Sequence, residues 1–290
     1  MSRILITGKT GQVGYELERS LQGLGEIIAM DRSQMDLADL DQVRDVIRRV
    51  KPTLIVNPAA YTAVDKAESE PELALRINGE APGVMAEEAK KLGAAMIHYS
   101  TDYVFDGSKD GAYVETDPTC PVNVYGASKL AGEQAIQAAG IQHLILRTSW
   151  VYSTHGKNFL LTMLRLAQER EELSIVSDQF GAPTWSRTIA DTTAHIVAQS
   201  LTTADYQEWW EERSGLYHLT AQGTTTWFGF TEAIIAHASV LKKPRLKPIL
   251  AREYPVPAKR PTNSVLSSYR LIEKFCGLPQ WAEALALCQS

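Results

Sequence analysis

Ile4-Leu5-Ile6-Thr7-Gly8-Lys9-Thr10-Gly11-Gln12-Val13-Gly14 is the stretch near the start of the chain that decides the fold. A short apolar run leads into glycines at every third position, and apolar residues then recur at Val13, Leu17, Leu21 and Leu24. The apolar run predicts a buried strand, the glycines predict a tight turn, and the later periodicity predicts an amphipathic helix. We therefore expect the chain to begin with a strand, a turn and a helix.

The same alternation continues to about residue 150. Apolar runs at 27–30, 54–56, 94–97 and 144–146 are separated by segments whose apolar residues recur every three or four positions. Uniformly apolar runs are typical of strands that are covered on both faces, as in parallel sheets. Helices that alternate with such strands indicate βαβ units with right-handed crossovers. We predict an α/β fold with a Rossmann-type, doubly wound parallel sheet and a smaller C-terminal α/β region.

Beyond residue 150 the pattern is less regular. The expected elements are a helix over 159–170, a strand over 173–176, a helix over 188–200, a loop over 205–213 that carries Trp209 and Trp210, a strand over 216–219 and a helix over 226–241. Prolines between 242 and 260 predict a loop there. We expect residues 1–151 to form one domain, to which 188–202 returns, and 152–187 with 214–290 to form a second region.

Composition excludes several classes of protein. Of the 290 residues, 44% are hydrophobic and 22% are charged, which is ordinary globular usage. The sequence has neither a run long enough to span a membrane nor a secretory signal, so we expect a cytoplasmic protein without a membrane partner. The net charge of −5 argues against a nucleic-acid partner. Three cysteines without a C-x-x-C spacing predict neither a disulfide framework nor a zinc site, and we expect them in the core.

The glycine-rich turn is suited to a dinucleotide. Glycines allow a close backbone approach to a pyrophosphate, and the N-terminus of the following helix offers free N–H groups. Asp31 follows the second strand, where a carboxylate can accept a hydrogen bond from the adenosine ribose 2'-hydroxyl. Arg32 beside it can instead neutralise a 2'-phosphate, so NADH and NADPH both remain open. A glycine-rich turn without a ligand is the alternative interpretation.

A second group of residues suits proton transfer. Tyr125 and Lys129 are four residues apart, so on a helix they share one face. A neighbouring ammonium favours a phenolate, and we expect it to lower the pKa of Tyr125. Thr101 and Asp102 follow the fourth strand, at the sheet edge where open α/β sheets bind ligands. Tyr and Lys at this spacing are also common on solvated helix faces. The catalytic interpretation gains weight only because the glycine-rich turn, the hydroxyl at the end of the fourth strand and the Tyr–Lys pair occur together.

The sequence resembles the extended short-chain dehydrogenase/reductase superfamily and, within it, the dTDP-4-dehydrorhamnose reductase family. The blocks that carry the resemblance lie at 8–14, 56–68, 99–105, 123–126, 147–152, 178–184 and 260–264. It implies reduction of the 4-keto group of dTDP-4-dehydro-6-deoxy-L-mannose by NADPH or NADH, which gives dTDP-L-rhamnose for cell-surface polysaccharide. Thr101 would hydrogen-bond the sugar carbonyl, Tyr125 would protonate O4, and Lys129 would hold the nicotinamide ribose.

The resemblance also implies two binding sites. The residues expected to contact the cofactor are Gly8, Thr10, Gly11, Gln12, Val13, Gly14, Asp31, Arg32, Asp36, Leu37, Ala59, Ala60, Tyr61, Thr62, Tyr125 and Lys129. The second region is expected to help bind the nucleotide sugar. The residues expected to contact that sugar are Thr101, Asp102, Trp150, Asn158 and Arg260. Trp150 would cover the apolar face of the deoxysugar, with a core aromatic as the alternative, and Arg260 would clamp the diphosphate.

The chain departs from the family at one point. Some members bind Mg²⁺ at a dimer interface through two acidic positions, of which one is Glu16 here and the other reads Arg187. Arginine supplies no oxygen ligand, so we expect no metal site. An ion pair between Glu16 and Arg187 across a homodimer interface would replace the metal bridge.

Two other functions compete with a reductase. A nucleotide-sugar dehydratase or epimerase shares the phosphate loop and the Tyr–Lys pair, but dehydration needs a further acid, and Tyr103 stands where a carboxylate would be required. A non-catalytic NADP-binding subunit, of the type that regulates methionine adenosyltransferase, resembles the same branch. The complete set of Thr101, Tyr125 and Lys129 favours an enzyme that acts on a small nucleotide sugar.

Overall fold

The computed structural model describes residues 2–238 and 243–290. Its strands are β1 (Arg3–Ile6), β2 (Glu26–Ala29), β3 (Leu54–Asn57), β4 (Ala95–Thr101), β5 (His143–Thr148), β6 (Val151–Tyr152), β7 (Glu172–Val176), β8 (Phe180–Gly181), β9 (Thr184–Trp185), β10 (Gly215–His218), β11 (Thr225–Thr226) and β12 (Arg245–Ile249). The short apolar runs of the first half therefore form strands where the periodicity predicts them.

Helices fill the intervals between the strands. They are α1 (Gln12–Ser20), α2 (Leu40–Val50), α3 (Val64–Ala67), α4 (Pro71–Leu75), α5 (Ala81–Leu92), α6 (Val124–Ala139), α7 (Phe159–Glu169), α8 (Ser186–Thr202), α9 (Tyr206–Arg213), α10 (Trp227–His237), α11 (Tyr269–Lys274) and α12 (Trp281–Cys288). A π-helical turn, Arg76–Glu80, joins α4 to α5, and 3₁₀ turns cover Asp102–Val104 and Ala251–Glu253.

The central sheet confirms the doubly wound α/β prediction. Within the described residues it has six strands in the order β10-β5-β4-β3-β1-β2, all parallel. The chain adds β2 on one side of β1 and then β3 on the other, so the winding direction reverses between β1 and β3. Ligands of open α/β sheets bind at the carboxyl ends of the strands beside such a reversal. The glycine-rich turn follows β1 at that point.

Apolar side chains cover both faces of the sheet. On one face, Ile4 and Val56 pack with Leu17 of α1 and Ile189 of α8. On the other, residues of alternate register, such as Leu5 and Ile55, pack with α2 and α5. A further cluster, which includes Tyr152, Phe230 and Leu285, forms the core of the C-terminal part. Among the described residues, no helix is long and apolar enough to cross a membrane.

The structure corrects several details of the second half. The expected loop over 205–213 is α9, because the Asp205 side chain accepts hydrogen bonds from the first backbone N–H groups of that helix. Trp209 and Trp210 are buried in the core beside the main sheet. The strand near 216 is β10, which pairs with β5 and so extends the main sheet, although we expected it in the second region.

The proline-rich stretch is also more ordered than expected. Residues 245–249 form β12, which pairs in parallel with β7, and Pro248 is compatible with a strand that has one free edge. The helix expected over 226–241 ends at His237, and residues 239–242 lie outside the described residues. Of the cysteines expected in the core, Cys288 is buried, whereas Cys276 is half-buried and Cys120 is exposed.

Candidate active site

The phosphate loop is built by the close approach of backbone segments. Gly8 has φ +58°, a conformation that L side chains rarely adopt, and a Cβ there would lie 2.9 Å from the Cβ of Ala59. A Cβ on Gly14 would lie 2.2 Å from the carbonyl oxygen of Gly8. Within the described chain, no side chain caps the N-terminus of α1 at Gly11. The first N–H groups of α1 are therefore free for an anionic ligand.

The end of β2 carries the residues expected at the adenosine. The Asp31 carboxylate accepts hydrogen bonds from the backbone and hydroxyl of Ser33, which hold its pKa below the usual value. Lys9 approaches Asp31 to 3.7 Å, and Arg32 pairs with Asp36 at 3.2 Å. Leu37, expected to contact the cofactor, is buried in the core cluster that includes residues of α2. A carboxylate and a guanidinium thus lie side by side at this edge.

The segment after β3 is held in place by the π-helical turn. Asn78 accepts a hydrogen bond from the Tyr61 backbone N–H and donates to the Tyr61 carbonyl and to the Ser128 hydroxyl. The Tyr61 hydroxyl donates to Glu70 at 2.6 Å. These contacts fix the segment with Ala59, Ala60 and Thr62 against α6. Sequence analysis missed Asn78, because a single polar residue in a helical pattern resembles a solvent-facing position.

Thr101, Asp102 and Tyr125 converge at the end of β4. The Thr101 hydroxyl donates to Asp102 at 3.0 Å, and the Ser149 hydroxyl donates to the other Asp102 oxygen at 3.1 Å. Burial raises the pKa of the Asp102 carboxyl to about 6. Tyr125 lies in the first turn of α6, where the Asn123 side chain caps the helix, and its ring contacts the edge of the Tyr103 ring.

Tyr125 is a neutral phenol, contrary to the expected lowering of its pKa. Burial and the nearby Asp102 carboxylate raise the pKa of Tyr125 to about 12, while a hydrogen bond with Thr101 acts in the opposite direction. The Lys129 ammonium does not produce the expected effect because its Nζ atom is directed elsewhere: it donates to the Tyr99 carbonyl at 2.6 Å and lies 3.2 Å from Nε2 of His98. Tyr125 therefore carries a proton at neutral pH.

Lys129 is 2% exposed, which is unusual for a lysine. Burial lowers its pKa to about 8, and the Glu133 carboxylate one turn later acts in the opposite direction. Glu133 itself forms a buried ion pair with Arg147 of β5, with N–O distances of 2.9 and 2.6 Å. Lys129 and Tyr125 thus share the face of α6 that packs on the end of β4, as their spacing predicts.

Trp150 occupies a tightly defined position beyond β5. Its backbone has φ +47°, which is uncommon for a residue with a side chain, and its ring stacks on Trp227 at a centroid distance of 3.6 Å. A Cβ on Gly181 would lie 2.5 Å from the Trp150 ring. One face of the Trp150 indole is therefore covered by protein, and its neighbours hold it in one orientation.

Arg260 lies in a two-pronged ion pair with Asp65. Its two terminal nitrogens are 2.9 and 2.8 Å from the Asp65 oxygens, and the pair joins the C-terminal part to the segment after β3. The guanidinium holds the pKa of the Asp65 carboxyl below its usual value. The structure thus gives the expected diphosphate clamp a carboxylate partner, which sequence analysis did not assign.

Two further candidates have local structural partners. The Asn158 side chain caps α7 by accepting from the Leu161 N–H and donates to the Ser153 carbonyl. Arg187 lies 3.6 Å from Asp191 on the same helix. Within residues 2–238 and 243–290, the structure has no cluster of three or more His, Cys, Asp or Glu side chains that could hold a metal ion. Glu16 therefore belongs to no such cluster.

Comparison with known proteins identifies the family. A profile of the RmlD substrate binding domain matches residues 1–290. The dTDP-4-dehydrorhamnose reductase of Burkholderia thailandensis is 51% identical over 299 residues, which covers 99% of this chain and 97% of that protein. The enzyme of the same name from Escherichia coli K12 is 47% identical, with coverage of 96% and 94%.

Solved structures agree with this assignment. The crystal structure of dTDP-4-dehydrorhamnose reductase from Bacillus anthracis in complex with NADP has a TM-score of 0.90 and 34% identity, and covers 99% of this chain and 98% of its own. The UDP-glucose 4-epimerase of Thermus thermophilus, at a TM-score of 0.79 and 20% identity, shares the fold. The chain therefore belongs to the RmlD substrate binding domain family, alongside the dTDP-4-dehydrorhamnose reductases that it resembles over nearly its whole length.

Proposed function

We propose that this chain is an NAD(P)H-dependent oxidoreductase that reduces the 4-keto group of dTDP-4-dehydrorhamnose to give dTDP-L-rhamnose, for cell-surface polysaccharide biosynthesis. The observation that carries the proposal is the convergence of Thr101, Tyr125 and Lys129 at the sheet edge that bears the phosphate loop. The same chain is 51% identical to a reductase of that name. A binding protein would not need this set of groups.

The residues that line the reversal point fit a nicotinamide dinucleotide. The turn 8–14 offers uncapped N–H groups to a pyrophosphate, and Asp31 and Arg32 follow β2, where we expect the adenosine ribose. The NADP in the Bacillus anthracis relative supports the same ligand here. When bound, the reduced nicotinamide supplies the hydride that C4 of the sugar receives.

The protein's own task is to deliver a proton as the ketone oxygen gains charge. Tyr125 is protonated at neutral pH because its pKa is about 12, so it can donate to O4. Thr101, whose hydroxyl donates to Asp102 in the ligand-free protein, would orient the carbonyl oxygen, and Lys129 would hold the ribose. Trp150, stacked on Trp227, would contact the deoxysugar, and Arg260, oriented by Asp65, would pair with the diphosphate.

The test is direct turnover. Purified protein is incubated with dTDP-4-dehydrorhamnose and either NADPH or NADH, and the loss of absorbance of the reduced nicotinamide is followed while the product sugar is identified by mass spectrometry and NMR. Stoichiometric formation of dTDP-L-rhamnose supports the proposal. Absence of oxidation with both cofactors would favour a non-catalytic binding protein. Formation of the other C4 epimer would show that the chain is a keto-sugar reductase with a different product.

Assembly is a separate part of the proposal. We expect activity to survive chelation of divalent cations, because Arg187 replaces one of the two acidic ligands used by metal-binding relatives. A homodimer joined by ion pairs between Glu16 and Arg187 should weaken at high ionic strength. Sedimentation equilibrium at low and high salt, with Arg187→Glu as the variant, tests that arrangement, and a monomer under all conditions would contradict it.

A further inference from the structure

A row of buried polar side chains crosses the sheet beneath the candidate active site. Thr7 directly follows β1, Asn57 ends β3, and His98 lies opposite Asn57 in β4. All three are at most 1% exposed. The row ends at Lys129 of α6, which lies against His98. Nothing in the proposed reaction so far uses Thr7, Asn57 or His98, although buried polar groups are costly unless they are fully hydrogen-bonded.

The first hydrogen bond of the row fixes the direction of the others. Thr7 Oγ1 accepts from the backbone N–H of Ala59 at 3.3 Å, so its own hydrogen is available to Asn57. The separation from Thr7 Oγ1 to Asn57 Oδ1 is 2.6 Å, which is typical of a hydroxyl donating to oxygen and shorter than usual for an amide donor. The Asn57 oxygen therefore faces Thr7, and its NH₂ group faces His98.

The orientation of Asn57 decides the tautomer of His98. Asn57 Nδ2 lies 3.0 Å from His98 Nδ1, and an amide NH₂ can only donate, so Nδ1 is an acceptor without a hydrogen. Burial lowers the pKa of His98 well below its ordinary value, so the ring holds a single proton. That proton is on Nε2, the atom that faces Lys129.

His98 thus presents a donor to Lys129 rather than an acceptor. The Nε2–Nζ separation is 3.2 Å, and Lys129 also donates to the Tyr99 carbonyl at 2.6 Å. An ammonium has three donors and no lone pair, whereas a neutral amine can donate to Tyr99 and accept from Nε2–H. Only the neutral amine satisfies both contacts.

The charged groups around Lys129 agree with this assignment. Glu133, one turn later on α6, raises the pKa of Lys129, but its carboxylate oxygens accept hydrogen bonds from Arg147 of β5 in a two-pronged ion pair. Asp102, beyond the end of β4, accepts hydrogen bonds from Thr101 and Ser149. A buried ammonium without its own carboxylate would be strongly unfavourable.

We propose that His98 is a positioning residue for Lys129: with its tautomer set by Asn57 and Thr7, it favours the neutral amine of Lys129 against the Tyr99 carbonyl in the ligand-free protein. The proposal rests on the proposed function only in that it places Lys129 in the catalytic set. A ligand that supplies hydroxyl acceptors would shift Lys129 back toward the ammonium.

The test measures the ionisation of Lys129 in the intact ligand-free protein. The protein is labelled with ¹³C,¹⁵N-lysine, the Lys129 side-chain signal is assigned by its loss in Lys129→Met, and its chemical shift is followed against pH. The variants are His98→Asn, which keeps an amide toward Asn57 but removes the donor to Lys129, and His98→Gln, whose longer amide reaches Lys129. Thr7→Val, which is nearly isosteric, removes the hydroxyl that orients Asn57.

In the wild-type protein we expect Lys129 to titrate near pH 8. Removing the Nε2–H donor in His98→Asn should raise that pKa by about one unit or more, toward the ordinary lysine value. His98→Gln should restore most of the wild-type pKa, because its NH₂ can replace the donor. Thr7→Val should raise the pKa of Lys129 although it does not touch that residue, because the tautomer of His98 is then free to change.

The outcomes are distinct. A lower pKa in His98→Asn would show that His98 accepts from an ammonium, which overturns the proposal, and so would an unchanged pKa in both His98→Asn and Thr7→Val. If His98→Asn does not fold, His98→Gln and Thr7→Val decide the question. The measurement needs no turnover. The expected pKa shifts in a protein that does not reduce the keto-sugar would uphold the role of His98 and refute the proposed function. Keto-sugar reduction without the expected pKa shifts would uphold the proposed function and refute the role of His98.

Discussion

Replacing Tyr125 by Phe removes the one hydroxyl on which the proposed proton transfer depends. The ring remains, so its edge contact with Tyr103, at a centroid distance of 5.8 Å, is kept. The hydroxyl has a pKa of about 12, which means that the wild-type enzyme carries the proton at every pH at which it would work. The change therefore deletes an acid without altering the packing of α6 on the end of β4.

The size of the effect follows from what remains in the site. General acid catalysis contributes about 10² to 10⁴ in rate, which corresponds to about 3 to 5 kcal/mol of transition-state stabilisation. Thr101 stays as a neutral hydrogen-bond donor, but it is far too weak an acid to replace a phenol. We expect kcat to fall by about 10² to 10⁴ while the dissociation constant of the cofactor changes little.

Asp102 gives this prediction a pH signature. Burial raises the pKa of its carboxyl to about 6, so it becomes a protonated acid only below that pH. In Tyr125→Phe, residual turnover should increase as the pH falls through 6, because a protonated Asp102 can then substitute as donor. The wild-type enzyme should lack this increase, since Tyr125 is protonated throughout.

The assay is stopped-flow measurement of nicotinamide oxidation at saturating substrate, with cofactor binding followed by fluorescence. Tyr152→Phe is a matched control, because the Tyr152 hydroxyl is buried without a hydrogen-bond partner among the described residues and lies in the C-terminal core. It should keep wild-type kcat and stability. Wild-type turnover by Tyr125→Phe would refute the mechanism even though the fold and the family stand.

The remaining predictions concern substrate, cofactor and stability. Arg260→Ala should raise the substrate KM about 10- to 150-fold, equivalent to about 1.5 to 3 kcal/mol, with cofactor affinity unchanged. The control is Lys259→Ala, which changes an exposed neighbour. A loss of cofactor binding in Arg260→Ala would show that Arg260 binds the cofactor rather than the nucleotide sugar. The wild-type enzyme should use both NADH and NADPH. Asp31→Ala should shift the ratio of the two kcat/KM values toward NADPH, because it removes a negative charge beside the position of a 2'-phosphate. An unchanged ratio would exclude Asp31 from the adenosine site. Glu133→Gln should destabilise the protein by about 3 to 5 kcal/mol in urea unfolding, because it leaves the guanidinium of Arg147 buried and uncompensated, and a loss below about 1 kcal/mol would show that water reaches the pair.

Local patterns account for the parts of this protein that could be predicted. Buried strands and amphipathic helices have periods that are visible in short windows, so the parallel sheet and the phosphate loop followed from the first 150 residues. The shared face of Tyr125 and Lys129 followed from helix geometry alone. The missed helix α9 also had a local signal, since Asp205 is a favourable N-cap residue before a segment of helix-forming side chains.

Contacts between distant segments could not be predicted in this way. Arg260 and Asp65 are 195 residues apart, and only the fold brings them within hydrogen-bond distance. The stacking of Trp150 on Trp227 and the place of β10 beside β5 are of the same kind. The pKa of Tyr125 moved opposite to expectation because it depends on burial and on where Lys129 Nζ points, and neither is encoded in residue spacing.

By itself, the sequence determined the chemistry available to this protein: which residues can bind phosphate, which can exchange a proton, and in which secondary-structure elements they lie. The tertiary structure decided how that chemistry is tuned. Desolvation, hydrogen-bond direction and the partner of each buried charge arise from strands and helices that meet only in the folded chain. The row from Thr7 through Asn57 and His98 to Lys129 is an example. Because these effects depend on distance and solvent exclusion rather than on local propensity, they exist only in the folded chain.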